Sequence, residues 1–524
     1  MATKWDSVEV QTEKVIDENP EVWVAAAKKS LEDKNYSEAL DNAEQAIEFI
    51  NKAATSAARS LLPKCYAIEI YAHYEKGEGS KAQKIKSEHF DAELKRFLMD
   101  NPEYVIVFKW HNNSEWMPLW QEMIAEWVKT DNFARMEKYD ELIDNRYLAS
   151  VCDNAAVIRS AAKNSLKFLE KIYAGGYNLS AVTNSDNDNL TMIALSNDHS
   201  QLAEFLLDKK INDVNAANKD GDTALMIAAE KGLTDIVKRL LETGANVYAR
   251  DKNQCTPLMC SGNAEIAKLL IDAGAEVDAK DDMGATALIL MAGGGYSNVV
   301  KCLIDAGAKI NAKITSTGIT ALMNAVGNGH NDAAKCLINA GADVNVIGTD
   351  GGTALAIAVA KDNLEITRAL IRAGADVSFG RNGTDILGLA AEHASLDVIE
   401  AILDAGANPN NLYDGKTLLH MVAQGEHWSD YSKRFWRMLL SHGANPNISD
   451  TSGRTPLEYS LDHTWYLSDE LDMSRALVKA GATITYTASS IMKRKYIEPN
   501  ALRNGSSSNV GTKVFGVLNR LFNS

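Results

Sequence analysis

The sequence predicts an all-α fold in which helix-turn-helix repeats stack into an α-solenoid, joined by short β-hairpin loops and preceded by a helical domain. The first observation is the tetrapeptide Gly-Ala-Asp-Val at 341–344, which recurs as Gly-Ala-Asn-Val ending at Val247 and as Gly-Ala-Asp-Val beginning at Gly374. The second is its spacing of roughly 33 residues, a period typical of stacked repeats. The third is that residues 1–180 lack the motif and show helical patterning instead.

Each repeat is expected to contain two short helices, as in the stretch from Asn218 to Arg250. Thr223 is placed to cap the first helix. The buried face of that helix is expected to consist of Leu225, Ile227, Ala228 and Ala229. Gly232 interrupts the chain before the second helix, and Gly244 ends that helix in a left-handed conformation. Val247 then anchors the hairpin that leads to the next unit. The same order predicts about nine units between residues 181 and 485.

This arrangement resembles the ankyrin-repeat family over residues 185–485, with a degenerate first unit around Asn189–Val214. The resemblance implies a scaffold or adaptor that binds a protein partner, on the concave face formed by hairpin tips and first helices. A repeat of this kind specifies an architecture and no reaction.

The departures from the repeat pattern are the places where function is expected. The third unit is shortened near Ser261-Gly262, and the fifth has an extra residue in its entry hairpin. The eighth and ninth units carry insertions between their helices, rich in aromatic residues and histidine. Phe435 and Trp436 are different, because their register predicts the core. The insertions are interpreted either as a binding hot spot or as a hydrophobic cap for the last repeat.

The residues predicted to contact a partner therefore lie in the C-terminal units and their insertions. They are Arg381, Asn382, Glu392, His393, Tyr413, Asp414, Lys416, His427, Trp428, Tyr431, Arg454, Asp462, His463, Trp465 and Tyr466.

The N-terminal domain, residues 1–180, has a partly tetratricopeptide-like beginning. Trp23, Tyr36, Ala39 and Ala46 have spacings similar to that family, in a helix pair from Val22 to Ile50.

Further along this domain, Trp116, Trp120 and Trp127 share one helical face, which favours a packed core over an aromatic ligand pocket that includes His111. Helices are predicted from Met136 to Tyr147 and from Ala155 to Tyr173, before a stop at Gly175-Gly176.

Composition narrows the function classes. The formal net charge of −16 disfavours nucleic-acid binding, because that affinity comes mainly from Lys and Arg. The six cysteines form no CxxC pair, and no histidine or cysteine spacing predicts a metal site or a cofactor. The opening residues Met1–Ser7 lack the apolar core of a signal peptide, so we expect a cytoplasmic protein without stable membrane insertion. A non-classical secretion route would leave no sequence signature.

Residues 486–524 are predicted to form a flexible tail with a short amphipathic segment at 513–522. Val514, Val517, Leu518 and Leu521 share one helical face, so the segment is expected to dock on a partner or on the repeats of its own chain. The alternative function is an effector or toxin-like enzyme, with its activity in the N-terminal domain and the repeats selecting the target. No catalytic signature supports that alternative, so an enzyme is the less favoured class.

Overall fold

The computed structural model describes residues 20–53, 59–76, 117–130, 143–380, 385–424, 430–463 and 471–483, with scattered positions between 78 and 136. The chain divides into two compact units, residues 1–184 and 185–524. Both are built from helices in their described parts, and isolated β-bridges join the hairpin arms of the repeats. The fold is therefore the predicted all-α repeat architecture.

In the N-terminal unit, helices Pro20–Glu32 and Tyr36–Ala53 form an antiparallel pair against which Leu62–Glu75 packs. Lys34 has a left-handed φ of 59° in the turn between the first two helices. Ala39 and Ala46 are fully buried, because only small side chains let the two helix backbones approach closely. The spacing that resembles a tetratricopeptide repeat thus corresponds to a close helix contact.

Trp127 is the one member of the predicted tryptophan face whose side chain the structure describes. It is buried in helix Met117–Lys129. Trp116 and His111 lie outside the described residues, as does the side chain of Trp120. The choice between a packed core and a ligand pocket therefore stays a prediction.

The helix expected from Ala155 to Tyr173 is two helices, Asn154–Ala162 and Leu166–Ala174, preceded by Asn145–Val151. Asn164 has a φ of 56°, and the N–H of Ser165 donates to the carbonyl of Ser160 at 2.9 Å. Because Asn adopts the left-handed conformation more readily than most residues, it replaces the glycine found at this turn in the repeats.

The described residues of the second unit form nine helix pairs in register with the predicted repeats, which we number 1 to 9. Their first helices are Leu190–Ser196, Ala224–Glu230, Pro257–Cys260, Ala287–Gly293, Ala321–Gly327, Ala354–Ala360, Ile386–His393, Leu418–Gln424 and Pro456–His463. Their second helices are Ser200–Asp208, Thr234–Glu242, Ala264–Asp272, Ser297–Asp305, Asn331–Asn339, Leu364–Arg372, Leu396–Asp404, Asp430–Ser441 and Leu471–Lys479.

Repeat 2 has the predicted start and stop signals. The hydroxyl of Thr223 accepts the N–H of Met226 at 3.4 Å, which caps the first helix. Gly244 has a φ of 92°, and the next N–H, from Ala245, donates to the carbonyl of Leu240 at 2.9 Å. Val247 is buried at the base of the hairpin. The recurring Gly-Ala-x-Val motif therefore ends a helix and anchors a hairpin.

Repeats 3 and 5 also have the predicted irregular forms, whereas most of the insertions predicted in repeats 8 and 9 lie outside the described residues. The first helix of repeat 3 ends at Cys260, and the bridge of repeat 5, Lys313 with Thr320, encloses one residue more than that of repeat 4, Lys280 with Thr286. Phe435 and Trp436 are buried, as their register predicts. Cys302 and Cys336 occupy equivalent half-buried positions on second helices.

Neighbouring repeats are joined by asparagine side chains at the base of the hairpins. The amide of Asn345 donates to the carbonyl of Gly374 at 3.0 Å, and its oxygen accepts the N–H of Asp376 at 2.8 Å. Asn410 and Asn447 make the same two contacts with the repeats that follow them. The asparagine thus stabilises the helix stop of the next unit directly.

Replacing Asn345 with alanine is expected to lower the free energy of unfolding by about 1–2 kcal/mol, since two hydrogen bonds at an exposed position are lost. Urea denaturation followed by circular dichroism measures this change. The control is Asn339→Ala, an exposed asparagine at the end of the second helix of repeat 5. Equal effects of the two substitutions would contradict the bridging role of Asn345.

Candidate protein-interaction surface

One face of the first helices is left open in the repeat array. In Ala287–Gly293 every residue is buried except the fourth, Leu290, and the seventh, Gly293, which lie on one helical face. The fourth residue is half-buried again at Asn324, Ile357 and Leu389. At Met421 it is 40% exposed. We call these fourth residues of repeats 4–8 the open stripe.

The open stripe ends in repeat 9, where the fourth residue is Tyr459. Its ring is buried, and its hydroxyl donates to Asp450 at 2.6 Å. The guanidinium carbon of Arg454 lies 4.0 Å from the ring centre and the ammonium of Lys416 lies 5.2 Å from it. Both cations therefore make cation–π contacts with the ring of Tyr459.

Three of the predicted partner-binding residues thus take part in contacts within the repeats. Lys416 also lies 2.7 Å from the side-chain oxygen of Gln424. The hydroxyl of Tyr413 donates to the carboxylate of Asp385, the N-cap of the repeat 7 first helix. Burial and this bond raise the pKa of Tyr413. Tyr413 thus connects repeat 8 to repeat 7, and Lys416 connects repeat 8 to repeat 9.

Other predicted residues are exposed. Glu392 and His393 end the first helix of repeat 7 with their side chains 3.6 Å apart and largely solvent-accessible. Asp414 is exposed at the hairpin tip of repeat 8. Tyr431 is 45% exposed near the start of the second helix of repeat 8. These side chains are available to a partner.

The remaining predicted residues lie beyond the described side chains. Asp462 and His463 end the helix Pro456–His463, where the backbone alone is described. The others lie outside the described residues: Arg381, Asn382, His427, Trp428, Trp465 and Tyr466. The amphipathic segment 513–522 lies outside them as well.

Sequence reasoning missed the open stripe because it placed Ile227, the fourth residue of the first helix of repeat 2, on the buried face of that helix. Ile227 is indeed buried, whereas its equivalents Leu389 and Met421 are not. The available signal was the apolar residue at the fourth position, three residues before a polar Glu392 or Gln424 on the same face.

The described cysteines offer no activated thiol. Burial raises the pKa of Cys65, Cys152 and Cys260 to about 12, so these thiols stay protonated at neutral pH. A nucleophilic cysteine needs a lowered pKa. Among the described residues, no three His, Cys, Asp or Glu side chains gather as metal ligands would.

The stacked helix pairs and the open stripe define a repeat solenoid of the kind that binds other proteins. The family described as "Ankyrin repeats (3 copies)" matches residues 157–251, 258–347, 288–381, 322–413 and 387–488, more than half of the chain. The chain therefore belongs to the ankyrin-repeat family, and its repeats form a protein-interaction domain.

The family match begins at residue 157, before repeat 1. Helices Asn154–Ala162 and Leu166–Ala174 have the internal geometry of a repeat: Gly176 has a φ of 90°, and the N–H of Tyr177 donates to Ile172 at 2.9 Å. An ankyrin-type helix pair is thus present in residues 153–177, within the stretch that the sequence assigned to the helical N-terminal domain.

Solved structures similar to this chain are also ankyrin-repeat domains. The human ASB11 ankyrin repeat domain is 24% identical, with 42% of this chain and 98% of that chain covered and a TM-score of 0.38. The ankyrin repeat domain of Bcl-3, a member of the IkappaB family, is 25% identical, with 42% and 99% covered and a TM-score of 0.37.

Within the described part of the chain, no helix has both the length and the apolar character needed to cross a membrane.

Proposed function

We propose that this protein is a scaffold or adaptor that binds a protein partner on the first-helix face of repeats 7 and 8 and on the hairpin tips of repeats 7–9. The observation that carries the proposal is the open stripe, which leaves apolar side chains uncovered on helices whose other faces are packed. Met421 is its most exposed member. An exposed apolar side chain surrounded by polar groups is typical of the centre of a protein interface.

Polar groups around Met421 supply the rim of this surface. Glu392 and His393 lie on the preceding first helix, Asp414 on the hairpin tip of the same repeat, and Gln424 one helical turn away. Tyr431 extends the surface toward the insertion of repeat 8. The predicted residues outside the described side chains are included in this proposal, because they belong to the same hairpins and insertions.

The substitution Met421→Arg is expected to weaken partner binding at least about tenfold, since a buried interface anchor becomes an unpaired charge. The test is affinity capture with wild-type and variant chains, followed by quantitative mass spectrometry and titration of the captured protein. Because Met421 is exposed, the melting temperature of the variant should equal that of wild type.

The matched control is Ile338→Arg, a half-buried apolar residue on the second helix of repeat 5. Its partner binding should match wild type. Capture that survives Met421→Arg, or that is lost equally in both variants, would contradict binding on the first-helix face.

A further inference from the structure

The open stripe carries no charge in repeats 4–6. Its fourth residues there are Leu290, Asn324 and Ile357, and the seventh residues of the same helices are Gly293, Gly327 and Ala360. In repeats 2 and 7 the seventh residue is glutamate instead. Repeats 4–6 are therefore three consecutive units whose fourth and seventh first-helix positions carry no charge.

In repeats 5 and 6 the fourth residue of the first helix lies next to the glycine that ends the first helix of the previous repeat. The amide of Asn324 donates to the carbonyl of Ile289 at 3.0 Å, and a Cβ on Gly293 would lie 2.3 Å from that amide nitrogen. Ile357 follows the same pattern, with its Cγ2 3.9 Å from a Cβ placed on Gly327. The first helices of repeats 4, 5 and 6 thus contact one another in sequence, and together they present Leu290, Asn324 and Ile357 along one face.

This surface contrasts with the rest of an acidic protein of formal net charge −16. Exposed acidic side chains flank it at the hairpin tips, Asp282 in repeat 4 and Asp350 in repeat 6, and the exposed Lys361 follows the first helix of repeat 6. An uncharged face with acidic side chains at the hairpin tips of repeats 4 and 6 fits a short apolar segment whose few charges are positive.

The chain itself contains such a segment. Residues 513–522 place Val514, Val517, Leu518 and Leu521 on one helical face, and their charged residues, Lys513 and Arg520, are both basic. The described repeats end at residue 483. The intervening residues 484–512 can span up to about 100 Å when extended. Repeats 6 and 9 are three steps apart, at roughly 10 Å for each step between packed helices.

We propose that residues 513–522 dock on the uncharged first-helix face of repeats 4–6 of the same chain. The inference rests on the proposed function in one respect, that first-helix faces bind protein segments. The docked tail would lie next to the partner surface of repeats 7–9. It would therefore compete with any partner that also contacts the first helices of repeats 4–6.

Tethering makes weak docking sufficient. A flexible linker, as the sequence predicts for the tail, supplies an effective concentration of about 1 mM. An intrinsic dissociation constant of about 0.1 mM would then leave docked chains about ten times more abundant than undocked ones. Such a contact is strong enough to protect the face and weak enough for a partner to displace.

The experiment compares amide hydrogen exchange in the full-length wild type and in the tail variant Val517→Asp/Leu518→Asp. Docking predicts about tenfold slower exchange in wild type for peptides covering Ala287–Gly293, Ala321–Gly327 and Ala354–Ala360, matching the docked ratio above. The tail control Asn519→Asp, off the apolar face, should behave as wild type. Dilution separates docking within one chain, which is independent of concentration, from docking on a second copy.

A pair of substitutions that introduces opposite charges tests direct contact between the tail and the first-helix face. Ile357→Asp alone should speed exchange of this face, and adding Val517→Lys in the tail should restore protection. Equal exchange in wild type and the Val517→Asp/Leu518→Asp variant would overturn the docking, and so would protection that disappears on dilution. Either result leaves the proposed function standing if Met421→Arg still weakens partner capture. If Met421→Arg leaves partner capture unchanged while the wild-type tail still protects repeats 4–6, only the partner surface is overturned.

Discussion

Replacing Trp436 with alanine is expected to lower the free energy of unfolding by about 3–5 kcal/mol, the range for truncating a large buried aromatic side chain. Trp436 lies on the second helix of repeat 8 and is 3% exposed. The guanidinium of Arg437 lies 5.1 Å from its ring, so the substitution also removes a cation–π contact. Urea denaturation followed by circular dichroism measures the change.

The matched control is Tyr431→Ala, five positions earlier on the same helix, with an exposed ring. Its unfolding free energy should change by no more than about 0.5 kcal/mol. The pair also distinguishes the two interpretations of the C-terminal aromatic residues. A loss for Tyr431→Ala comparable to that of Trp436→Ala would show that the exposed aromatics cap the array rather than bind a partner.

Much of the repeat array could be predicted because its signals are local. Thr223 at a helix start and Gly244 at a helix stop each act through hydrogen bonds within a few residues. The register between them then fixes which positions are buried, and it placed Phe435 and Trp436 in the core. The extra residue of repeat 5 was visible for the same reason, since the motif measures the hairpin length.

The helix pair in residues 153–177 lacked these signals. Asp153 replaces the capping threonine and accepts the N–H of Ala156 at 2.7 Å, and Asn164 replaces the turn glycine. Asp153 and Asn164 perform the same structural roles as the threonine and the glycine, so the fold is kept although the sequence motif is absent. Lys416 and Arg454 illustrate a different limit. Their position over Tyr459 depends on the packing of repeats 8 and 9, which no pattern within one repeat specifies.

The second large effect is expected at His420. This histidine is fully buried in the first helix of repeat 8. The equivalent position holds an apolar residue in most of the other repeats of this chain. The N–H of Thr417 donates to its Nδ1 at 3.2 Å, so Nδ1 is the acceptor and Nε2 carries the hydrogen that is donated to the carbonyl of Arg454 at 3.0 Å. The side chain thus joins repeat 8 to repeat 9.

Replacing His420 with alanine is expected to cost about 2–4 kcal/mol, because a buried N–H and a buried carbonyl both lose their partner. The control His393→Ala removes an exposed histidine from the preceding first helix and should change stability by no more than about 0.5 kcal/mol. Comparable losses in the two variants, measured by urea denaturation, would contradict the bridging role of His420.

The pH dependence gives a sharper test, because two histidines of repeat 8 should act in opposite directions. Burial lowers the pKa of His420, whereas the hydrogen bond to Asp404 at 3.0 Å raises the pKa of His442. The stabilising contribution of His420 is therefore complete above the unfolded-state pKa of about 6.5 and is lost as pH falls through the folded pKa. That of His442 is complete below about 6.5 and is lost as pH rises through the folded pKa.

The loss of stability in His420→Ala should consequently be larger at pH 8 than at pH 5, and the loss in His442→Ala larger at pH 5 than at pH 8. Both are measured as differences from wild type at the same pH, so other titrating groups cancel. His442 is partly exposed and Asp404 largely so, which limits its contribution to less than about 1 kcal/mol. A His420→Ala loss that grows as pH falls would show that the buried imidazole is charged, and the neutral bridge between repeats 8 and 9 would then be wrong.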